Sequence, residues 1–254
     1  MSYLDAVPAP SFDRPAAIAE HSAGFAAAAD GNLKAKVAGC PGWTVGDLVR
    51  HLTEVHWFWT TVVEEQQPAP PDESRRPADA SEDHLIEAFR AGAARLVSVL
   101  RLADPKARCW TWAPAQQDVA FVVRHQVQEA AVHHWDAAHA AGRQLVIDPE
   151  VAADAVDEFL TFSVSSPADP ADPPRPALEG RLALICSDIA AAWTVEDGEV
   201  QGTVVHSRGA SAETPAMVAR ASDLLLWLYR RVPLDTGAVD RALAERLRAL
   251  CFTD

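Results

Sequence analysis

Apolar residues recur at intervals of three and four through the first half of the chain, which is the spacing of amphipathic helices. In the segment that follows Thr44, this spacing joins Leu48, Leu52, Val55 and Trp59. The pattern predicts four helices, at about residues 13–31, 44–65, 81–103 and 118–142. Since each helix has one apolar face to bury, we expect the four to pack together as a bundle.

Local signals mark where these helices begin and end. Asp13 is a capping residue with Pro15 in the first turn behind it, and Thr44 with Asp47 resembles a capping box. Gly31 can adopt a positive φ and so end the first helix. The helix boundaries therefore rest on capping chemistry as well as on periodicity.

The chain changes character in its second half. A fifth helix is predicted from Asp148 to about Val164, since a carboxylate caps a helix and Pro149 is tolerated at its first position. Five prolines between Pro167 and Pro176 then predict a stiff, non-helical connector. We therefore place a domain boundary between residues 165 and 166.

The C-terminal part contains short segments rich in β-forming residues. They lie at 182–186, 192–195 and 203–206, and residues 196–199 carry a hairpin-turn signal between the last two. A helix is predicted to start at Thr214 and Pro215 and to run through Leu228, and a last helix spans about 237–250. Residues 166–254 are thus predicted to form a small α+β domain.

Composition and charge narrow the possible functions. The 254 residues are 49% hydrophobic and 23% charged, which is a normal globular composition. The formal net charge of −14 at pH 7 repels phosphate backbones and anionic membrane surfaces, so we expect no nucleic-acid partner and no membrane partner. The N-terminal sequence lacks the features of a signal peptide, and we expect a soluble, cytoplasmic protein.

The four cysteines suggest neither disulfides nor redox chemistry. Cys40, Cys109, Cys186 and Cys251 are scattered, without a Cys-x-x-Cys pair. A chain of this size also does not need disulfides to fold. We expect buried thiols.

Three residues on the predicted helices form a candidate site for a divalent metal. The four-residue step from Glu129 to His133 puts both side chains on one helix face, about 6 Å apart along the axis. His51, on another amphipathic helix, is the obvious third ligand. Imidazole and carboxylate groups suit Zn²⁺ and also Ni²⁺, Fe²⁺ or Mn²⁺, so ligand chemistry does not select the metal; zinc is the ion we expect. Three protein ligands leave positions open for a substrate, which is typical of a catalytic site.

Further polar residues are candidates for weaker roles. Arg124 and His125 are candidate substrate contacts, with a solvated helix surface as the alternative; His125 lies about 12 Å along the axis from His133, too far to share an ion with it. Asp136 can orient His133 by a hydrogen bond, or can be a solvated acid. His56 is the weaker alternative to His51 as a ligand.

Other motifs argue for packing or are absent. Trp43, Trp57, Trp59, Trp110 and Trp112 are expected to pack in the core and loops rather than to form a ligand cage. The sequence has no glycine-rich phosphate loop, no Gly-x-Ser-x-Gly elbow and no His-Glu-x-x-His stretch. This counts against nucleotide enzymes, serine hydrolases of that type and zincin proteases.

Two motifs carry a resemblance to a known family. They are Pro41-Gly-Trp-Thr-Val-Gly-Asp-Leu-Val-Arg-His51-Leu and Glu129-Ala-Ala-Val-His133-His-Trp-Asp136. Both resemble the mycothiol-dependent maleylpyruvate isomerase family, and the similarity extends over most of the chain. The resemblance implies a mainly α protein, with a DinB-like metal-binding four-helix bundle at residues 1–165. It also implies an α+β C-terminal domain at 166–254 that is similar to sterol carrier proteins.

The same resemblance implies ligands and chemistry. In that family the first motif supplies a metal-binding histidine, which matches His51, and the second supplies a glutamate and a histidine, which match Glu129 and His133. It implies mycothiol as a thiol cosubstrate and a small electrophile as substrate, with either cis/trans isomerisation or S-transfer as the reaction. One departure is His134, which stands where many relatives have arginine.

Two other functions stay open at this level. A metal-dependent hydrolase would use the ion to activate water and would need no thiol. A non-enzymatic ligand-binding or regulatory module would carry an apolar molecule in the C-terminal domain and hold no metal. The sequence is compatible with a monomer or a homodimer.

Overall fold

The computed structural model describes residues 11–164, 177–199 and 203–251. Contacts between residues divide the chain into two compact units. One unit is Phe12–Val146, and the other consists of the described residues of Met1–Ser11 and Ile147–Asp254.

The first unit is a four-helix bundle. Its helices are α1 (Arg14–Ala29), α2 (Val45–Glu64), α3 (Leu85–Leu102) and α4 (Val119–Ala140). α1 and α2 each pack against both α3 and α4. The bundle that the apolar periodicity predicts is confirmed, and the residue ranges agree closely.

Capping side chains fix the starts of three of these helices. Asp13 Oδ1 accepts a hydrogen bond from Ala16 N at 2.9 Å, and Asp118 Oδ1 accepts one from Phe121 N at 3.0 Å. At the start of α2, Thr44 N donates to Asp47 Oδ2 at 2.8 Å while Asp47 N donates to Thr44 Oγ1 at 3.2 Å. The predicted capping box is therefore present, with aspartate in place of the usual glutamate.

The third helix begins later than predicted. The structure has a single 3₁₀ turn at Glu82–His84, and α3 starts only at Leu85. Ser81 precedes the 3₁₀ turn but makes no capping hydrogen bond to a backbone N–H. Leu85 is buried in the bundle core, so packing rather than a cap sets this boundary.

The core of the bundle holds the segment of α2 that bears His51. Leu48 and Leu52 are buried on α2 together with Phe25 of α1 and Phe89 of α3, whose rings lie 4.8 Å apart. Apolar burial of this kind is the main favourable contribution to folding. Burial of Leu48 and Leu52 holds the helical turns on either side of His51 in place.

The second unit combines helices with a four-stranded sheet. α5 (Pro149–Phe159) continues into a π-helical turn at Leu160–Val164. The strands are β1 (Arg181–Cys186), β2 (Ala192–Asp197), β3 (Val204–Arg208) and β4 (Ala216–Ala219), followed by α6 (Ala221–Leu228) and α7 (Arg241–Leu250). The strand order is β3-β2-β1-β4. The predicted α+β character of this part is confirmed.

One predicted helix is wrong over its first part. The helix expected from Thr214 to Leu228 begins only at Ala221, as α6, and ends at the expected Leu228. Residues 216–219 instead form β4, which pairs in parallel with β1. Ala183 N donates to Pro215 O at 2.8 Å, and Met217 is buried while Val218 is exposed. This alternation is that of a strand with one buried face, and pairing with β1 overrides the Thr-Pro helix signal.

The other strands follow the prediction. β2 is antiparallel to both β1 and β3, as expected of the predicted hairpin pairing. Glu196 and Asp197, which were predicted in the turn, belong to β2, and residues 200–202 lie outside the described residues. The last helix starts at Arg241 rather than near 237, because Asp240 Oδ1 caps it by accepting from Ala242 N at 2.8 Å. Helix starts in this unit again follow capping side chains.

α5 packs within the second unit. Asp157 of α5 accepts hydrogen bonds from Trp193 Nε1 at 2.9 Å and from Arg208 at 2.7 Å, and α5 also packs against α6. The division between units therefore falls before α5, earlier than the boundary predicted between residues 165 and 166. The predicted proline-rich connector lies outside the described residues. The domain boundary between residues 165 and 166 therefore stays a prediction.

The cysteines behave as core residues. Cys40, Cys109, Cys186 and Cys251 are not in disulfides, and all but the half-buried Cys40 are buried. Burial raises the pKa of Cys109 to about 11 and that of Cys186 and Cys251 to about 12. Thiolates are therefore scarce at these three positions at neutral pH.

Among the described helices, none has both the length and the apolar character required to cross a membrane.

Candidate metal centre

The bundle brings His51 of α2 together with Glu129 and His133 of α4. Glu129 Oε1 lies 3.0 Å from His51 Nε2 and 3.5 Å from His133 Nε2, and the three ligand atoms lie within 4.8 Å of one another. Ligands of a tetrahedral zinc ion, with bonds of about 2.0–2.2 Å, lie about 3.3 Å apart. The donor types and their spacing therefore fit one divalent ion.

The centre is more open at one side than at the other. The side chains of His51, Glu129 and His133 are 28%, 17% and 9% exposed. The ring of Trp43, which is itself partly exposed, lies edge-on to His51 with 5.3 Å between centroids. Access from solvent is therefore on the side of His51 and Trp43.

Asp136 holds His133 from behind. His133 Nδ1 lies 3.0 Å from Asp136 Oδ2, and the Asp136 side chain has no exposed surface. A hydrogen bond at Nδ1 fixes the ring and leaves Nε2, which faces Glu129, as the nitrogen for a ligand bond. This geometry fits the orienting role predicted for Asp136.

Cys40 contacts the other side of this pair, at Asp136. Its Sγ donates a weak hydrogen bond to Asp136 Oδ2 at 3.9 Å, so that Cys40, Asp136 and His133 form a chain of contacts. The sequence did not predict this position for Cys40. Its position in the loop before α2, in the same motif as His51, was the available signal.

The charges of the centre compensate one another. Burial alone raises the pKa of the Glu129 carboxyl, but His133 and His51 hold that pKa well below its ordinary value. Burial likewise lowers the pKa of His133, but Glu129 and Asp136 raise it to about 9. A protonated His133 thus neutralises Glu129, and a bound cation would take the place of that proton.

The comparisons with known proteins identify the bundle. Residues 15–138 match the family described as mycothiol maleylpyruvate isomerase N-terminal domain. This part of the chain belongs to that family. No curated protein and no solved structure matches the chain.

The match to the mycothiol maleylpyruvate isomerase family confirms the resemblance drawn from the two motifs. It includes His51, Glu129 and His133, and it ends within α4. The expected similarity of the C-terminal part to sterol carrier proteins lies beyond the matched residues and stays a prediction.

Within the bundle, His125 lies in an aromatic cluster. Its ring stacks on Phe121 with centroids 5.5 Å apart and meets Trp112 at 5.3 Å and Trp59 at 6.1 Å. For Trp59 and Trp112, this cluster agrees with the expectation that the tryptophans serve packing. Arg124 is half-buried on the preceding position of α4. Substrate contact by His125 or Arg124 stays a prediction.

His56 and His134 point away from the centre. His56 packs against Phe89 of α3, with 5.1 Å between ring centroids, and belongs to none of the candidate metal groups found in the described residues. His134 Nδ1 lies 3.2 Å from His21 Nδ1 on α1. The histidine that departs from the family pattern therefore faces α1, whereas His133 faces α2.

Proposed function

We propose that this protein is a metal-dependent enzyme that uses a low-molecular-weight thiol, as an isomerase or an S-transferase. The observation that carries the proposal is the meeting of His51, Glu129 and His133 inside a domain whose family name pairs mycothiol with isomerisation. Mycothiol is the proposed thiol, and a small electrophile is the proposed substrate.

Each of the three residues has a distinct proposed role as a ligand. Glu129 supplies one oxygen between two imidazoles and balances the charge of the ion. His133 supplies Nε2, held in place by Asp136. His51 supplies Nε2 from a second helix, so that the site is complete only in the folded bundle. Zinc is the proposed ion, and the same donors also suit nickel, iron or manganese.

A divalent ion at such a centre supplies a Lewis acid that lowers the pKa of a bound thiol, so that thiolate is available near neutral pH. The chain's own buried cysteines, with pKa values raised by burial, are not needed as nucleophiles. The opening beside His51 and Trp43 is where the thiol and the electrophile would enter.

The proposed reaction begins with one bond in both cases. The sulfur electron pair forms a C–S bond to an electrophilic carbon, and the π electrons of the substrate double bond move to the neighbouring atoms. If the C–S bond then breaks after rotation, the product is the geometric isomer. If a proton, such as the one released by the thiol, is added instead, the product is the S-conjugate.

Metal content and thiol dependence test the proposal together. We expect near-stoichiometric metal in the wild-type protein and its loss in His51→Ala, while His139→Ala, an exposed histidine on α4, keeps the metal. Turnover of maleylpyruvate or related electrophiles should require both metal and mycothiol. Wild-type protein that holds no metal after reconstitution, or an active metal-free His51→Ala variant, would contradict it. Turnover without any thiol would indicate a hydrolase.

A further inference from the structure

A cavity lies between α2 and α3, apart from the metal centre. It has a volume of about 500 Å³ and is lined by α2, by α3 and by residues 75–80 of the segment between them. This size is within the usual range of small-molecule sites. His51, Glu129 and His133 do not line it.

Two buried polar atoms at this cavity lack a hydrogen bond. His56 and Thr60 both line it and are only 2% and 4% exposed. Within the described residues, His56 Nδ1 and Thr60 Oγ1 find no hydrogen-bond partner. Leaving such groups unpaired in the folded protein is costly, and buried polar atoms are nearly always satisfied. The pair therefore points to a bound molecule.

A glycine leaves space beside His56 at this cavity. Gly92 of α3 also lines it, and a Cβ at Gly92 would stand 3.8 Å from His56 Nδ1. The missing side chain at Gly92 leaves this space open. His56 and Thr60 are four residues apart on α2, so they share a helix face about 6 Å apart along the axis. One small ligand in the cavity can therefore approach both side chains.

The charges at the rim neutralise one another. Arg76 lies 3.0 Å from Glu54 and Arg95 lies 2.6 Å from Glu64, while Arg75 pairs with Glu65. All six side chains line the cavity. Because each guanidinium already faces a carboxylate, the rim does not select a charged ligand.

The interior is neutral and mostly apolar. Leu85, Ala80 and Ala88 provide apolar wall. Burial lowers the pKa of His56 to about 4, so its imidazole is uncharged at neutral pH. A neutral imidazole and a hydroxyl can each donate or accept a hydrogen bond, which suits an uncharged hydroxyl group on the ligand.

We propose that this cavity is a second binding site, for an uncharged amphipathic small molecule. Its hydroxyl group bonds to His56 Nδ1 and Thr60 Oγ1, and its apolar ring or chain packs against Leu85 and Ala88. The site does not depend on the function proposed for the metal centre.

Phenol and toluene are the probes that test this site, because they differ by one hydroxyl group on the same ring. Protein with ¹³C-labelled alanine methyl groups is titrated with each and followed by NMR. Phenol should shift the Ala80 and Ala88 methyl signals and leave that of Ala94, which lines a different groove, unchanged. Phenol should bind about threefold to tenfold more tightly than toluene, the net value of one hydrogen bond.

Two threonine variants separate the hydroxyl contact from general effects. Thr60→Val should remove the preference for phenol and leave toluene binding intact. Thr61→Val is the matched control, because Thr61 lines the same cavity but its hydroxyl already donates to Trp57 O at 2.8 Å. Its preference should stay at the wild-type value. Ala88→Leu should fill the cavity and weaken both probes.

Three results would overturn the proposal. They are equal binding of phenol and toluene to the wild-type protein, a preference that survives in Thr60→Val, and titrations in which the cavity methyl signals do not move. Thr60→Val removes only an unpaired buried hydroxyl, so this variant is expected to fold.

Discussion

His51 Nε2 lies 3.0 Å from Glu129 Oε1, and this contact joins α2 to α4 at the candidate metal centre. The same carboxylate oxygen faces His133 Nε2 at 3.5 Å. Glu129 is therefore the shared partner of both histidines, and the centre should depend most on its negative charge.

Replacement of Glu129 by glutamine tests this dependence. The amide keeps the shape of the side chain but removes the charge that balances a divalent ion, so metal affinity should fall by at least about 100-fold. Competition with a chromogenic chelator measures the loss. Glu87→Gln, an exposed position on α3, is the control and should bind metal as the wild type does. Equal affinities for the two variants would remove Glu129 from the centre.

The pH dependence of stability follows from the pKa shifts in the metal-free protein. The pKa of His133 is raised from 6.5 to about 9, so its contribution is fully present below pH 6.5 and is lost as pH rises to 9. The pKa of Glu129 is lowered from 4.5, so its contribution is present above pH 4.5 and is lost at lower pH. With a chelator present to remove metal, His133 and Glu129 should therefore stabilise the folded protein most between pH 4.5 and 6.5.

Urea unfolding of the metal-free protein, with a chelator present, measures this pH dependence of stability at pH 6 and pH 9. The free energy of unfolding should drop between these values in the wild type, and the drop should be smaller in His133→Gln, which cannot carry the proton. A drop of the same size in both proteins would show that other groups cause it. With metal bound, the free energy of unfolding should instead rise with pH, because the ligand histidine must be unprotonated to bind the ion.

Asp136→Asn tests the hydrogen bond behind His133. Asparagine can accept the same bond but carries no charge to hold the ring in one orientation, so metal affinity should fall about 10- to 100-fold while the three ligands remain. The measurement is a metal titration by calorimetry. Asp83→Asn, an exposed residue ahead of α3, should cause no change. An unchanged affinity for Asp136→Asn would mean that the contact has no role in metal binding.

Gly24→Ala probes the close approach of α1 and α4. A Cβ at this position would lie 2.2 Å from His134 Cε1, so the imidazole would have to move. We expect a loss of about 1–3 kcal/mol in the free energy of unfolding, the usual range for overpacking. In a His134→Ala background, where the imidazole is absent, Gly24→Ala should cost much less free energy of unfolding than it does in the wild type. Additive effects of the two substitutions would exclude this contact as the cause.

The sequence was most informative where the deciding interactions are local. Asp13, Thr44 and Asp118 cap their helices through bonds that each span three residues, and these boundaries could be predicted. The spacing of Glu129 and His133 is likewise a property of one helix. Their meeting with His51 depends on packing of α2 against α4, which the amphipathic periodicity of both helices indicated.

Features that depend on distant contacts were missed. The local sequence at β4 indicates a helix, whereas its strand character comes from pairing with β1, more than 25 residues earlier in the chain. The contact of Cys40 with Asp136 spans 96 residues, and no spacing rule links them. The cavity beside His56 likewise depends on the absent side chain at Gly92 of α3, which has no signature of its own in the sequence.

The contact between His51 and Glu129 joins residues 78 positions apart. Whatever holds these two side chains together also closes a long loop of chain, whose closure entropy opposes folding. An ion bound here would act as a removable cross-link between α2 and α4. Amide hydrogen exchange near this junction would then slow when metal is added, and the affinity for metal would report on how firmly the bundle itself is closed.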